Sequence, residues 1–358
     1  MKFCLILTGG RSGSDFLQSL FDGHDEIIQF PGIIKFKKPF INIFNLESDY
    51  KIAEEFIKFY PHFFDSRINK MERHNQLGEN KNEFYSVDKK EFINNFCKFY
   101  KETQKSKIDK LICLHKAYQS SKVKAKIILI HIHLHNFLEN FLINFNIKDI
   151  KILLTLRDPL VSFCSTIKNW SIYKSGLHFT PWALHQNYEL HFNNFNKLKN
   201  IKDKIRVVKL EKLHTENDKV SEKICQFLSV KKLRCLSHST YHGKKWWGDA
   251  ISNKYLDGIN PEFKNNFDEN LFNKKDLMFL ENLLIPILKK YNYPTRSEKK
   301  TFSKIFLPIF KFEFKVWKNI LEKVKIYSLI SIPYFYFKRI LLLRNKNRIE
   351  FENLPDEI

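Results

Sequence analysis

Residues 2–23 read KFCLILTGGRSGSDFLQSLFDG, a strand, a turn and a helix in immediate succession. Residues 2–8 form a short apolar run of buried-strand type, Gly9–Ser14 is a turn of small residues, and Phe16, Leu17, Leu20 and Phe21 recur at helical spacing until Gly23. A glycine-rich turn between a strand and a helix aims backbone N–H groups, and the positive end of the helix dipole, at an anion. Gly10 and Gly13 permit unusual backbone angles, Arg11 suits bidentate contact with a phosphate, and the hydroxyls of Ser12 and Ser14 add hydrogen-bond donors. The loop lacks the Gly-Lys-Ser/Thr ending that sets a hydroxyl against magnesium, which disfavours a metal-dependent nucleoside triphosphatase. A tight turn that binds nothing is the alternative.

Working outward, residues 45–110 carry a polar and aromatic pattern of helical period (Ile52, Phe56, Phe59, Tyr60, then Phe92, Phe96, Tyr100), which predicts a helical insertion. Lys126–Ile132 reads as a strand, 136–146 as a helix, and Ile150–Leu156 as a second buried strand. Asp158 and Pro159 then suit the N-cap and first position of another helix. Ile205–Leu210 is a further strand, followed by a helix over about 217–229. Alternation of this kind predicts an α/β domain, residues 1–297, with a central parallel sheet wrapped by helices. Beyond Pro294 the chain turns Lys-, Phe- and Ile-rich, so 298–358 reads as a basic, aromatic-rich helical C-terminal extension. Its stretch VWKNILEKVKIYSLISIPYFYFKRILLLRNKNR is broken by Pro333 and closed by Lys338 and Arg339, too punctuated for a membrane span. It suits peripheral contact with an anionic membrane, or an appendage packed on the domain or on a second subunit.

The 358-residue chain holds 61 Lys and Arg against 39 Asp and Glu, a formal charge of +22 that implies attraction to polyanions: nucleotides, acidic glycans, nucleic acid or anionic lipid. Cys4, Cys97, Cys113, Cys164, Cys225 and Cys235 form no CxxC pair and sit mostly in apolar runs, which predicts reduced thiols. With no signal-peptide cleavage pattern in MKFCLILTGGRSGS, the expected location is cytoplasmic.

GGRSGSDFLQSLFDGH resembles the 5′-phosphosulfate-binding loop of the sulfotransferase superfamily: a basic residue, Ser, Gly, two small hydroxyl residues and an apolar helix. The resemblance implies a P-loop NTPase-like three-layer fold and a sulfuryl donor, 3′-phosphoadenosine 5′-phosphosulfate (PAPS), with no metal. It also implies that Arg11 and Ser14 hold the 5′-phosphosulfate with backbone amides of Ser12, Gly13, Ser14 and Asp15, and that Phe16 lies beside the adenine. Asp15 departs from the usual Thr or Ser, and a carboxylate there repels a phosphate unless it turns away or pairs with a base such as Arg11. LLTLRDPLVSFCSTIKNW resembles the family's second motif, in which an Arg at a strand end and a Ser eight residues later grip the 3′-phosphate; Arg157 and Ser165 match in type and spacing. STYHGKKWWGD, residues 239–249, looks like the late basic loop over the nucleotide, with Lys244 and Lys245 as added charge and Trp246 or Trp247 as cover for the base.

Sulfuryl transfer is an in-line displacement that needs a stabilised leaving group, here served by Arg11, and a base of near-neutral pKa for the acceptor's proton. IILIHIHLH sets His131, His133 and His135 on one face of a strand by the period of two, at the end of the strand before the Arg strand, where cytosolic members carry their base. His133 is the first candidate, then His135, then His115; Glu26 represents the carboxylate bases also found in the superfamily. The acceptor stays open among glycan, lipid-linked sugar, small alcohol and protein tyrosine, because the variable helical insertion selects it. Two other readings stand beside this one. A kinase-type P-loop transferase would prefer ATP with magnesium. A basic nucleic-acid-binding protein is suggested by the charge, the 35 Phe and the 14 Tyr, although the best motifs converge on a single nucleotide.

Overall fold

The computed structural model describes residues 1–8, 10–133, 135–147, 149–168, 195–252, 254–297 and 350–358, with isolated positions between 310 and 341. Its centre is a six-stranded sheet in the order β2-β3-β1-β4-β5-β8. These strands are β1 (Lys2–Thr8), β2 (Ile27–Ile33), β3 (Ile127–Ile132), β4 (Ile150–Leu156), β5 (Ile205–Lys209) and β8 (Asp356–Glu357), and every pairing among them is parallel. A two-stranded antiparallel hairpin, β6 (Thr240–Tyr241) and β7 (Lys244–Lys245), stands apart from the sheet.

Parallel pairing demands crossovers, and helices supply them. Helix α1 (Ser14–Leu20) joins β1 to β2. Between β2 and β3 lies the predicted insertion, with its main helices α2 (Asp49–Phe59), α3 (Lys89–Lys101) and α4 (Lys107–Tyr118). Helix α5 (His135–Phe145) links β3 to β4, and α6 (Pro159–Thr166) follows β4. After β5 come α7 (Leu210–Thr215), α8 (Asn217–Leu228) and later α9 (Lys274–Lys290).

The alternation along β1 builds the two flanking layers. Phe3, Leu5 and Leu7 enter one apolar cluster with α5, α6, α9 and the insertion, whereas Cys4 and Ile6 enter another with α1, α7 and α8. With both faces covered, β1 reads as a continuous apolar run, as central parallel strands do. The insertion is an aromatic cluster: Phe30 stacks at 5.4 Å on Phe63, and Phe56 contacts Phe40, Tyr60, Phe64 and Phe92. These rings are buried, so this part of the phenylalanine excess serves packing.

The C-terminus corrects the expected domain boundary. Residues 350–358 are not helical extension: a 3-10 turn leads into β8, which adds to the edge of β5 and so belongs to the α/β domain. The Ile358 N–H donates to the Val207 carbonyl at 3.0 Å, the Tyr291 hydroxyl donates to the Pro355 carbonyl at 2.8 Å, and Lys212 pairs with Glu357 at 2.7 Å. The tail stretch read as a membrane-contacting helix lies outside the described residues, apart from isolated positions. No helix among the described residues is long and apolar enough to cross a membrane. Deleting residues 355–358 removes the β5–β8 pairing, while β5 keeps its pairing with β4, and removes the partner of the buried Tyr291 hydroxyl. Two or three lost hydrogen bonds at about 1 kcal/mol each predict a thermal midpoint lower by several degrees, measurable by calorimetry.

Candidate functional site

The site forms at the carboxyl edge of the sheet, where β1 runs into the glycine loop beside the end of β4. Gly10, Arg11 and Gly13 all have positive φ (82°, 45° and 82°), a sequence of left-handed positions that curls the backbone N–H groups inward. Hydroxyls fix that curl. Thr8 Oγ1 accepts from the Gly10 N–H at 3.0 Å and lies 2.8 Å from Ser12 Oγ, which is in turn 2.9 Å from Thr155 Oγ1 on β4. The Ser12 side chain is therefore buried within the loop's own support. Ser14 opens α1 and is also buried. The Ser162 hydroxyl, on α6, donates to the Gly10 carbonyl and ties the first motif to the second.

Arg11 pairs at 2.7 Å with Asp249, which follows the late hairpin, and not with Asp15. Asp15 lies in the first turn of α1, its Oδ1 3.6 Å from His131 Nδ1. Three carboxyls thus converge on this corner from separate segments: Asp15, Asp249, and Glu72 of the insertion. Burial, then Glu72 and Asp249, push the Asp15 carboxyl up to about 8 against the relief given by Arg11. Burial, with Asp249, also raises Glu72.

The histidines separate. Strand β3 ends at Ile132, so the period-two face stops before His135, which opens α5 and is not a strand residue. His131 is fully buried, its Nδ1 3.1 Å from Gln18 Oε1. His133, just past the strand, is half-buried; burial first, then Arg11 and Lys35, lower it to about 4, so its ring is neutral at physiological pH. His115 is not at a strand end: it lies on α4 with Nδ1 2.8 Å from the Leu111 carbonyl, packed against Phe30 in the insertion core. Glu26 is tied to Lys126 and to the Lys231 amide, a structural arrangement.

Arg157 leaves the end of β4, where its Nε donates to Asn265 Oδ1 at 2.8 Å and its guanidinium lies 5.6 Å from the Phe263 ring centroid. Asp158 caps α6 as expected, accepting from the Leu160 and Val161 amides at 3.0 and 3.3 Å. Ser165 is part-buried on the same helix. Lys244 and Lys245 are each paired with carboxylates. Lys244 pairs with Glu83, and Lys245 pairs with Glu79 at 3.2 Å and Asp257 at 2.8 Å. The indole N–H groups of Trp246 and Trp247 donate to the carbonyls of Glu72 and Gly78, both at 2.6 Å, so the hairpin clasps the insertion and brings Asp249 to Arg11. Phe16 stacks on His214, which also stacks on Phe263. Asp249, Glu72, His214 and Phe263 were not singled out from sequence; each arrives through a loop or a short helix, with no spacing to mark it.

No protein-family model matches the chain, and no curated protein matches it. Solved structures do. The sulfotransferase domain of the Synechococcus olefin synthase is 15% identical over 72% of this chain and 84% of its own, with a TM-score of 0.39. The sulfotransferase domain of the curacin biosynthetic pathway is 13% identical over 88% and 96%, with a TM-score of 0.36. A Mycobacterium avium sulfotransferase is 10% identical over 82% and 78%, with a TM-score of 0.42. The α/β parallel-sheet architecture of this chain stands on its own strand pairings.

Proposed function

We propose that the chain is a sulfotransferase that moves the sulfuryl group of PAPS to a hydroxyl or amine acceptor, a glycan or small metabolite, without a metal. The observation that carries this reading is the placement of Arg11 and Arg157. Arg11 lies in the loop that follows β1 and Arg157 directly follows the adjacent β4; burial first, and then the charge of Arg11 against that of Glu211, disfavours the charge on Arg157. Two half-buried guanidiniums held in one another's field suit a ligand with two anionic groups, and PAPS carries them at its 5′ and 3′ ends. The loop amides and Arg11 would take the 5′-phosphosulfate, and Arg157 with Ser165 the 3′-phosphate. Gly13 lets the loop pack directly on α7, since a Cβ there would meet Leu210 at 2.4 Å.

The chemistry follows from charge. The acceptor's oxygen or nitrogen attacks sulfur, the bond from sulfur to the bridging phosphate oxygen breaks, and Arg11 stabilises the negative charge left on the phosphate. Arg11 must then exchange part of its contact with Asp249 for the ligand. His133 is the favoured acceptor of the proton; its ring is held at about 4 by burial, Arg11 and Lys35, and the negative charge of a bound phosphosulfate beside it would raise it towards the neutral range a base needs. The His135 side chain lies outside the description, and His115 lies in the insertion core. The insertion and the Trp247 loop border the Arg11 side, where the acceptor would enter.

The test is thermal unfolding with adenosine 3′,5′-bisphosphate, with AMP, and with ATP plus magnesium, in wild type and Arg157→Ala. A ligand at one hundred times its Kd adds about 2.7 kcal/mol to the folded state. The expected result is a rise of several degrees with the bisphosphate alone, absent in Arg157→Ala. A preference for ATP with magnesium would instead favour a kinase-type transferase.

A further inference from the structure

Phe16, His214 and Phe263 form a three-ring stack drawn from three separate segments. His214 lies 4.4 Å from Phe16 at an interplanar angle of 12° on one side, and 4.5 Å from Phe263 at 13° on the other. The outer rings have different anchors. Phe16 is held in the α1 packing, and Phe263 belongs to the loop that Asn265 fastens to Arg157. Remove the imidazole and they bound a slot one aromatic ring thick, opening beside the Arg157 guanidinium.

The middle ring has the weakest hold. His214 is the penultimate residue of the six-residue helix α7, whose Leu210 and Leu213 are buried while His214 is only part-buried. Among the described residues its polar contact is the Asn260 N–H, which donates to Nδ1 at 3.2 Å. Burial, with Arg157 nearby, lowers its pKa to about 4, so the ring is neutral and brings no cation–π attraction to the stack. Vacating the slot needs a rotation of this side chain about its own bonds.

We propose that His214 is an internal competitor for the purine of the donor nucleotide: its imidazole fills the slot between Phe16 and Phe263 that the base enters, and binding exchanges one heteroaromatic ring for another. The proposal rests on the donor-site reading above. A planar purine restores both stacking faces that the imidazole gives up, and a nucleotide seated there carries its ribose phosphate towards Arg157. A flexible or saturated ligand does neither. The exchange lowers the apparent affinity by the fraction of protein whose slot is open, so the plug sets how much nucleotide is needed for occupancy.

The wild-type test is proton NMR of the histidine rings, with His214 assigned through the signal lost in His214→Ala. The two phenylalanine rings shift its ring protons upfield, and saturating adenosine 3′,5′-bisphosphate is expected to return them to the ordinary range. Calorimetric titration supplies the second readout. His214→Ala is expected to bind the bisphosphate about tenfold more tightly, and His214→Phe more weakly, while inorganic pyrophosphate, which has no base, binds all three proteins alike. Bisphosphate that binds wild type while the His214 signals stay upfield, or that binds His214→Ala no better, overturns the exchange and leaves the donor site standing. Failure of the bisphosphate to bind any of the three proteins overturns the donor reading and the exchange with it.

Discussion

Asp15→Asn is expected to stabilise the protein, by an amount that grows as the pH rises from about 4 to about 8. The side chain is 22% exposed, with Oδ1 buried and without a hydrogen-bond partner among the described residues. Glu72 from the insertion and Asp249 from the hairpin loop face it with like charge. Arg11 opposes them, His131 on β3 lies alongside, and the Tyr241 hydroxyl donates to the Asp15 carbonyl at 3.2 Å. The carboxyl is lifted from 3.8 to about 8, so between those values the folded protein holds a proton that the unfolded chain has released. Each rise in pH through that window therefore costs stability, and the full penalty applies above 8. At about 1.4 kcal/mol per pKa unit, with the titration shared with Glu72, Asn should gain on the order of 3 kcal/mol by pH 8 and almost nothing at pH 4. Urea unfolding of both proteins at pH 4.5, 6 and 8 measures this; parallel pH profiles would show that Asp15 titrates normally. A phosphate bound at the loop would raise the carboxyl further, so nucleotide affinity is expected to fall as pH rises in wild type and to lose that slope in Asp15→Asn.

Asp15 also shows where sequence reading stops. Its conflict with a bound phosphate was legible, because residue type and position in the loop suffice to raise it. Its resolution was not, since the expected partner Arg11 is taken by Asp249, more than two hundred residues later. Strands β1, β3, β4 and β5 were legible because buried parallel strands are continuous apolar runs. Strand β2, IIQFPGI, was not read: Pro31 and Gly32 look like breakers, yet an edge strand pairing only with β3 and shifting register between Gln29 and Ile33 accommodates both. Strand β8, Asp356–Glu357, is two acidic residues with no apolar pattern, so its pairing is a tertiary fact. The three histidines show the opposite error. A period of two was extended past Ile132, where the backbone had already turned towards α5.

Gly13→Ala is expected to cost about 3 kcal/mol and to abolish the nucleotide-induced rise in the thermal midpoint. Two separable effects add. The residue sits at φ 82°, where any Cβ meets its own backbone at roughly 1–2 kcal/mol. The new Cβ would also lie 2.4 Å from Leu210 Cδ1 and 3.3 Å from Leu210 Cγ, and Leu210 is itself buried at the head of α7. Displacing a packed leucine costs a further 1–3 kcal/mol or so. A double-mutant cycle with Leu210→Ala separates the two, because removing the leucine relieves the clash and leaves the strain. Gly13→Ala should therefore cost roughly half as much in the Leu210→Ala background. Equal costs in both backgrounds would mean that the left-handed backbone alone demands glycine. Ligand response should not recover with the clash: the amides of Ser14 and Asp15 take their direction from the φ of Gly13, so Gly13→Ala in the Leu210→Ala background regains stability before it regains the bisphosphate.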